Sequence, residues 1–131
     1  MVKAIIAIVA GLVAWIAVVA LAGVIMRSSW PAYARVADAM TFTLPMLFAR
    51  LAIGAVATLA AGWVAAAIAP RSMVARLLPG VLLLVAFIPQ HISLWNVFPL
   101  WYHLTFLLSL VPLTYLGGSL RQTQRVVSAD V

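Results

Sequence analysis

The chain has 131 residues, of which 67% are hydrophobic and 8% charged, with eight Lys or Arg against two acids and a formal charge of +6. The surface of a small soluble domain is roughly a quarter charged or more, so this composition excludes that class and indicates a polytopic membrane protein. The lack of Cys excludes disulfide scaffolds, thiol nucleophiles, Cys-ligated zinc and iron–sulfur centres. The basic residues are scattered beside apolar runs, a pattern of topology signals rather than of a nucleic-acid surface.

The first apolar run, 4–26, is uncharged and rises about 34 Å as a helix, enough to cross a hydrocarbon core of about 30 Å. Lys3, the run itself and Ala20-Leu21-Ala22 also resemble a secretory signal, but the run is longer than a usual signal core. A connection with Arg27, Arg35 and Asp38 leads to a second span, 42–69, introduced by Thr41, Thr43 and Pro45, closed by Pro70 and carrying one charge, Arg50. Spans three and four, 74–94 and 99–117, form a hairpin about the turn-like segment Trp95-Asn96-Val97-Phe98-Pro99. A single helix through that segment would exceed one crossing and bury Pro89 and Pro99 where a lost hydrogen bond is expensive. Pro112 predicts a bend in span four, with the Leu108 carbonyl released and Ser109 placed to satisfy freed backbone groups. The tail from Ser119 reads as a short helix extension or a disordered end. The fold expected is therefore all-α: a four-transmembrane-helix bundle of up-down topology.

Lys3, Arg71, Arg76, Arg121 and Arg125 fall on one side of that topology and no charge falls in the 95–99 turn, so the positive-inside bias places both termini in the cytoplasm. Gly54, Thr58 and Gly62 in span two recur at four-residue spacing, with Ala57, Ala61, Ala65 and Ala69 beside them. Such a stripe supports close backbone approach, either within the bundle, against Ala7, Ala10, Gly11 and Ala14 of span one, or between chains.

Arg50 lies about 7 Å into span two, and His91 and His103 flank the 95–99 turn, so all three fall at one depth near the outer interface. With Asp38 as a carboxylate partner, they predict an outward-facing polar pocket rimmed by Gln90, Trp95, Asn96, Trp101 and Tyr102. Competing with this, Arg50 can snorkel to the headgroups, and Trp30, Tyr33, Trp95, Trp101 and Tyr102 can be an ordinary aromatic belt. Arg and His at such depth suit an anionic headgroup, a carboxylate or a quinone carbonyl. His91 and His103 as axial haem ligands are a narrower reading, and zinc would need Asp38 folded back over the hairpin. No phosphate loop, dinucleotide fingerprint, zinc-protease motif, nucleophile elbow or paired intramembrane carboxylates are present.

The stretch Phe42-Thr43-Leu44-Pro45-Met46 with Ala49-Arg50-Leu51, His91, Leu94-Trp95, Phe98-Pro99 and the run Trp101-Tyr102-His103-Leu104-Thr105-Phe106-Leu107 resembles small four-span bacterial membrane proteins over most of the chain. The resemblance implies a bacterial inner-membrane setting and no particular activity. The sequence thus predicts a non-enzymatic accessory or assembly subunit that binds membrane lipids or a larger membrane complex, or forms a homo-oligomer. Its rivals are a quinone- or haem-binding electron-transfer protein and an oligomeric small-molecule transporter.

Overall fold

A computed structural model describes residues 1–129. Among these residues the chain is all-helical: α1 (Val2–Ser29), α2 (Pro31–Val36), α3 (Leu44–Ile68), α4 (Met73–Ser93) and α5 (Leu100–Ala129). Four of the helices, α1, α3, α4 and α5, are long and apolar enough to cross a membrane. In a medium without water every backbone polar group must be satisfied within the segment, which is why these runs become uninterrupted helices. Their apolar side chains turn outward as well as inward: Ile5, Val9, Val13 and Ile16 of α1 are all more than half exposed, as expected of lipid-facing positions.

The helix boundaries follow local chemistry. Pro45 occupies the first turn of α3, where its missing N–H costs nothing. The Ser72 hydroxyl caps α4 by accepting from the Ala75 N–H at 3.1 Å. The 94–99 segment turns the chain from α4 into α5, as the sequence predicts. Pro112 lies inside α5, but the Ser109 hydroxyl donates to the Phe106 carbonyl at 2.8 Å rather than to that of Leu108, so it does not replace the bond the proline removes.

One feature differs from expectation, and one open alternative is resolved. The first connection contains α2, which folds back so that Tyr33 and Ala37 are buried against Met46 and Phe42. The tail from Ser119 takes the first of its two expected forms, a helix extension, and continues α5 to Ala129 in a helix about 45 Å long. Polar ties hold this extension to the bundle: Arg76 donates to the Gln122 side chain at 3.1 Å, Gln122 donates to the Pro70 carbonyl, and Trp63 donates to Gln124 at 3.2 Å.

The small-residue stripe of α3 is consumed inside the bundle. Ala57, Ala61 and Ala65 are fully buried and Thr58 nearly so. A Cβ added at Gly11 of α1 would lie 2.8 Å from the Ala61 carbonyl oxygen, and one at Gly62 would lie 1.8 Å from that of Thr114 on α5. Gly117 of α5 reciprocates, with Leu59 of α3 at 2.1 Å, while Gly54 meets the Phe106 ring at 3.0 Å. Absent side chains therefore let α3 touch main chain on both neighbours, and the dispersion gained holds a bundle that has no solvent-driven reason to associate. The alternative use of this stripe, as a seam between chains, is corrected: the α1 and α5 backbones already cover it.

The Trp15 indole donates to the Thr58 hydroxyl at 3.1 Å, and that hydroxyl donates to the Gly54 carbonyl at 2.7 Å. This chain of bonds fixes α1 against α3 at mid-depth, just below a cavity.

Candidate functional site

The cavity, of about 260 Å³, opens above Trp15 and is enclosed by all five helices. Its lower part is apolar, with Trp15, Ile53, Phe87 and Phe106; its upper part carries Tyr33, Arg50, Gln90, His91 and Tyr102. The upper end is where α2 and the 94–99 turn meet, since Phe42 stacks on Tyr33 at 5.2 Å and on Phe98 at 6.0 Å. This gradient from aromatic floor to polar roof gives the cavity one apolar and one polar end.

Arg50 does not snorkel freely. Its Nη1 donates to the Tyr33 hydroxyl at 2.9 Å and its Nε to the Tyr102 hydroxyl at 3.4 Å, while the guanidinium lies 4.6 Å from the centroid of Phe42. Both phenol oxygens act as acceptors in these bonds, so each phenol retains its own O–H for another partner. Among the described residues no carboxylate approaches Arg50, and its cationic charge is met only by oxygens and an aromatic face.

His91 and His103 are brought together. Their Nδ1 atoms lie 2.7 Å apart with the rings nearly perpendicular, at 81°. His91 lines the cavity; His103 is fully buried behind it, with Trp95 stacked on its outer face at 5.0 Å. The Nε2 of His103 is buried without a hydrogen-bond partner. One Nδ1 must donate and the other accept, so the pair carries a single shared proton when neutral. An orphaned buried N–H is rarer than an orphaned lone pair, which favours the arrangement in which His103 Nδ1–H donates to His91. His91 then carries its own proton on Nε2.

Of the residues expected at the site, Arg50, His91, Tyr102 and Gln90 line the cavity and His103 backs it. Asp38 does not join them. It is 86% exposed and pairs with Arg27 at 2.9 Å, because the return of the chain through α2 sets it on the outer rim beside the end of α1. Trp101 also lies outside: its ring stacks on Phe48 at 5.4 Å and touches Tyr102 edge-on, so it buttresses the cavity wall from the lipid side. Asn96 is exposed in the turn. Tyr33, Phe42 and the aromatic floor are the contributors that sequence reading missed. The signal available was the proximity of Trp30, Tyr33 and Phe42 around a Pro-initiated segment, too rich in aromatics for a plain loop.

The imidazole pair does not fit a bis-imidazole haem, since the two rings bond to each other through Nδ1 and cannot present opposed nitrogens to one iron. No group of three His, Cys, Asp or Glu placed to hold a metal occurs among the described residues. No protein-family model, curated protein or solved structure matches the chain.

Proposed function

We propose that this multi-pass protein resides in the bacterial inner membrane, with both termini cytoplasmic, and binds a small membrane-soluble ligand in the cavity beneath α2. The ligand carries an oxygen-acceptor head, a quinone carbonyl or a carboxylate, and an apolar ring or chain. The observation that supports this reading is Arg50: a guanidinium at membrane depth, aimed by two phenols at a cavity and lacking a carboxylate. Intramembrane cations of this kind are expensive unless a partner or a ligand meets them.

The remaining polar groups point the same way. The O–H groups of Tyr33 and Tyr102, and the Nε2–H of His91, add neutral donors to the charged ones of Arg50, leaving the Gln90 carbonyl as the main side-chain acceptor. A head rich in lone pairs complements that set, and a head rich in donors does not. The volume is apt, since a cavity of about 150 Å³ holds benzene and 260 Å³ admits a substituted single ring. Longer tails extend into lipid.

The test is mass spectrometry of organic extracts from wild-type protein and from Arg50→Gln, both purified from native membranes in mild detergent. A quinone or fatty-acid mass near one per chain, reduced at least tenfold in Arg50→Gln, is the expected result, and the identity of the mass separates the two head classes. Equal ligand content in the two preparations refutes the site. A stoichiometric membrane protein co-purifying with an empty cavity would assign the chain to an assembly instead.

A further inference from the structure

We propose that the opposite end of the bundle is a separate site for the phosphate headgroup of an anionic phospholipid. There Lys3 at the start of α1, Arg71 in the link from α3 to α4 and Arg125 near the end of α5 line one open cavity of about 610 Å³, together with Met1, Ala4, Ser72 and residues 68–70. The three cations are far apart in sequence and are gathered by the up-down topology.

The basic residues at this end fall into two groups. Arg76 is bonded to Gln122 and lies over the Tyr115 ring, and Arg121 lies over Trp63 at 4.6 Å; these tie the helices together. Lys3, Arg71 and Arg125 make no hydrogen bond or ion pair with any described residue and are left facing the cavity. The first turn of α1 also opens there and contains no acid, so its free main-chain N–H groups add positive potential; at α4, which also lacks an acid in its first turn, the Ser72 hydroxyl already accepts from the Ala75 N–H. Of the two acids in the chain, Asp38 lies at the far end and Asp130 lies outside the described residues.

The rim identifies the anion as a lipid. Val2 on α1 and Met73 and Val74 on α4 are each more than half exposed beside the cations. A phosphate seated among Lys3, Arg71 and Arg125 therefore leads its acyl chains onto apolar helix faces, an arrangement that basic pockets between membrane helices use for anionic headgroups. A soluble phosphate would gain nothing from those faces.

Native mass spectrometry of the full chain, released from bilayer discs of equal phosphatidylglycerol and phosphatidylcholine, reads this directly. The most tightly retained lipid is expected to be phosphatidylglycerol. With about fivefold in affinity per cation near the surface, Arg71→Gln alone weakens retention about fivefold and the Lys3→Gln/Arg71→Gln/Arg125→Gln variant abolishes the preference. Arg35→Gln, at the other end, leaves it unchanged. Helicity and elution volume report folding of the triple variant, and the single variant stands in its place if that variant fails to fold. Equal retention of the two lipids, or undiminished preference in the variants, overturns the proposal. Binding of inorganic phosphate to lipid-free protein in detergent that added phosphatidylglycerol does not displace would also overturn it, in favour of a soluble anion.

Discussion

Gly62→Ala tests the seam between α3 and α5. The new Cβ would stand 1.8 Å from the Thr114 carbonyl oxygen and 2.7 Å from its carbon, both main chain, so no rotamer change relieves the clash. Ordinary contact begins near 3.4 Å, and restoring it requires the helices to part by about 1.6 Å, which forfeits half or more of the dispersion attraction along the seam. Overpacking a rigid interior costs about 1–3 kcal/mol, and backbone against backbone belongs at the upper end. The better helix propensity of alanine offsets about 1 kcal/mol, leaving a net loss of about 2 kcal/mol. Gly117→Ala, facing Leu59 at 2.1 Å, is expected to cost the same. The separation that admits one methyl admits the other, so the double variant loses about 1–2 kcal/mol rather than the sum of about 4, a coupling of at least about 2 kcal/mol. Reversible unfolding in mixed micelles of rising dodecyl sulfate content, followed by Trp fluorescence, supplies the four free energies. Gly23→Ala is the control, because a Cβ there meets nothing within 4 Å. A loss below about 0.5 kcal/mol for Gly62→Ala, or strict additivity of the pair, refutes a close-packed seam.

Three other outcomes are expected. Thr58→Val removes the acceptor of the Trp15 indole and destabilises by about 1–2 kcal/mol; Trp15→Phe in the same chain recovers part of that loss, and its failure to do so in micelle unfolding would dissociate the two residues. Asp38→Asn breaks an ion pair whose side chains are 52% and 86% exposed, so stability changes by less than about 0.5 kcal/mol and ligand content is unaltered. Met40, at φ 55°, sits in the left-handed region that costs a non-glycine residue about 1 kcal/mol; Met40→Gly is neutral to stabilising by the same unfolding assay, and a loss above about 1 kcal/mol would contradict the strain.

The four long helices were legible because one physical demand, internal satisfaction of every backbone group in lipid, leaves an apolar run few alternatives. The six residues of α2 escaped because their helix is short and begins at a proline that also suits a turn; its burial depends on the seat that Phe42 and Met46 make for Tyr33 and Ala37, which only the assembled bundle supplies. The shared level of Arg50, His91 and His103 along the bundle was readable by counting from Pro45 and the 95–99 turn. Rotation about a helix axis was not. Adjacent residues are separated by about 100° on a helix, so Tyr102 turns to the cavity while Trp101 turns to lipid, and composition treats the two alike. Asp38 was misplaced for a related reason: opposite charge suggests a partner for Arg50, but the corner between α1 and α2 puts Arg27 nearer.

The close main-chain approaches bear on how the cavity communicates with its surroundings. Among the described residues the glycine contacts tie α1 to α3, α3 to α5 and α4 to α5, and none joins α1 to α4. The cavity wall between those two helices is made by Val19 and Gly23 on one side and Phe87 and Gln90 on the other, with open space over Gly23. That side of the cavity, between two helices long and apolar enough to span a membrane, is where the ligand proposed above would enter from acyl chains instead of water. A ligand using it partitions into the bilayer before it binds, and the concentration that governs occupancy is its mole fraction in lipid. Apparent affinities quoted against bulk solution will then rise and fall with the amount of membrane or micelle in the sample, even while the contacts at Arg50 stay the same.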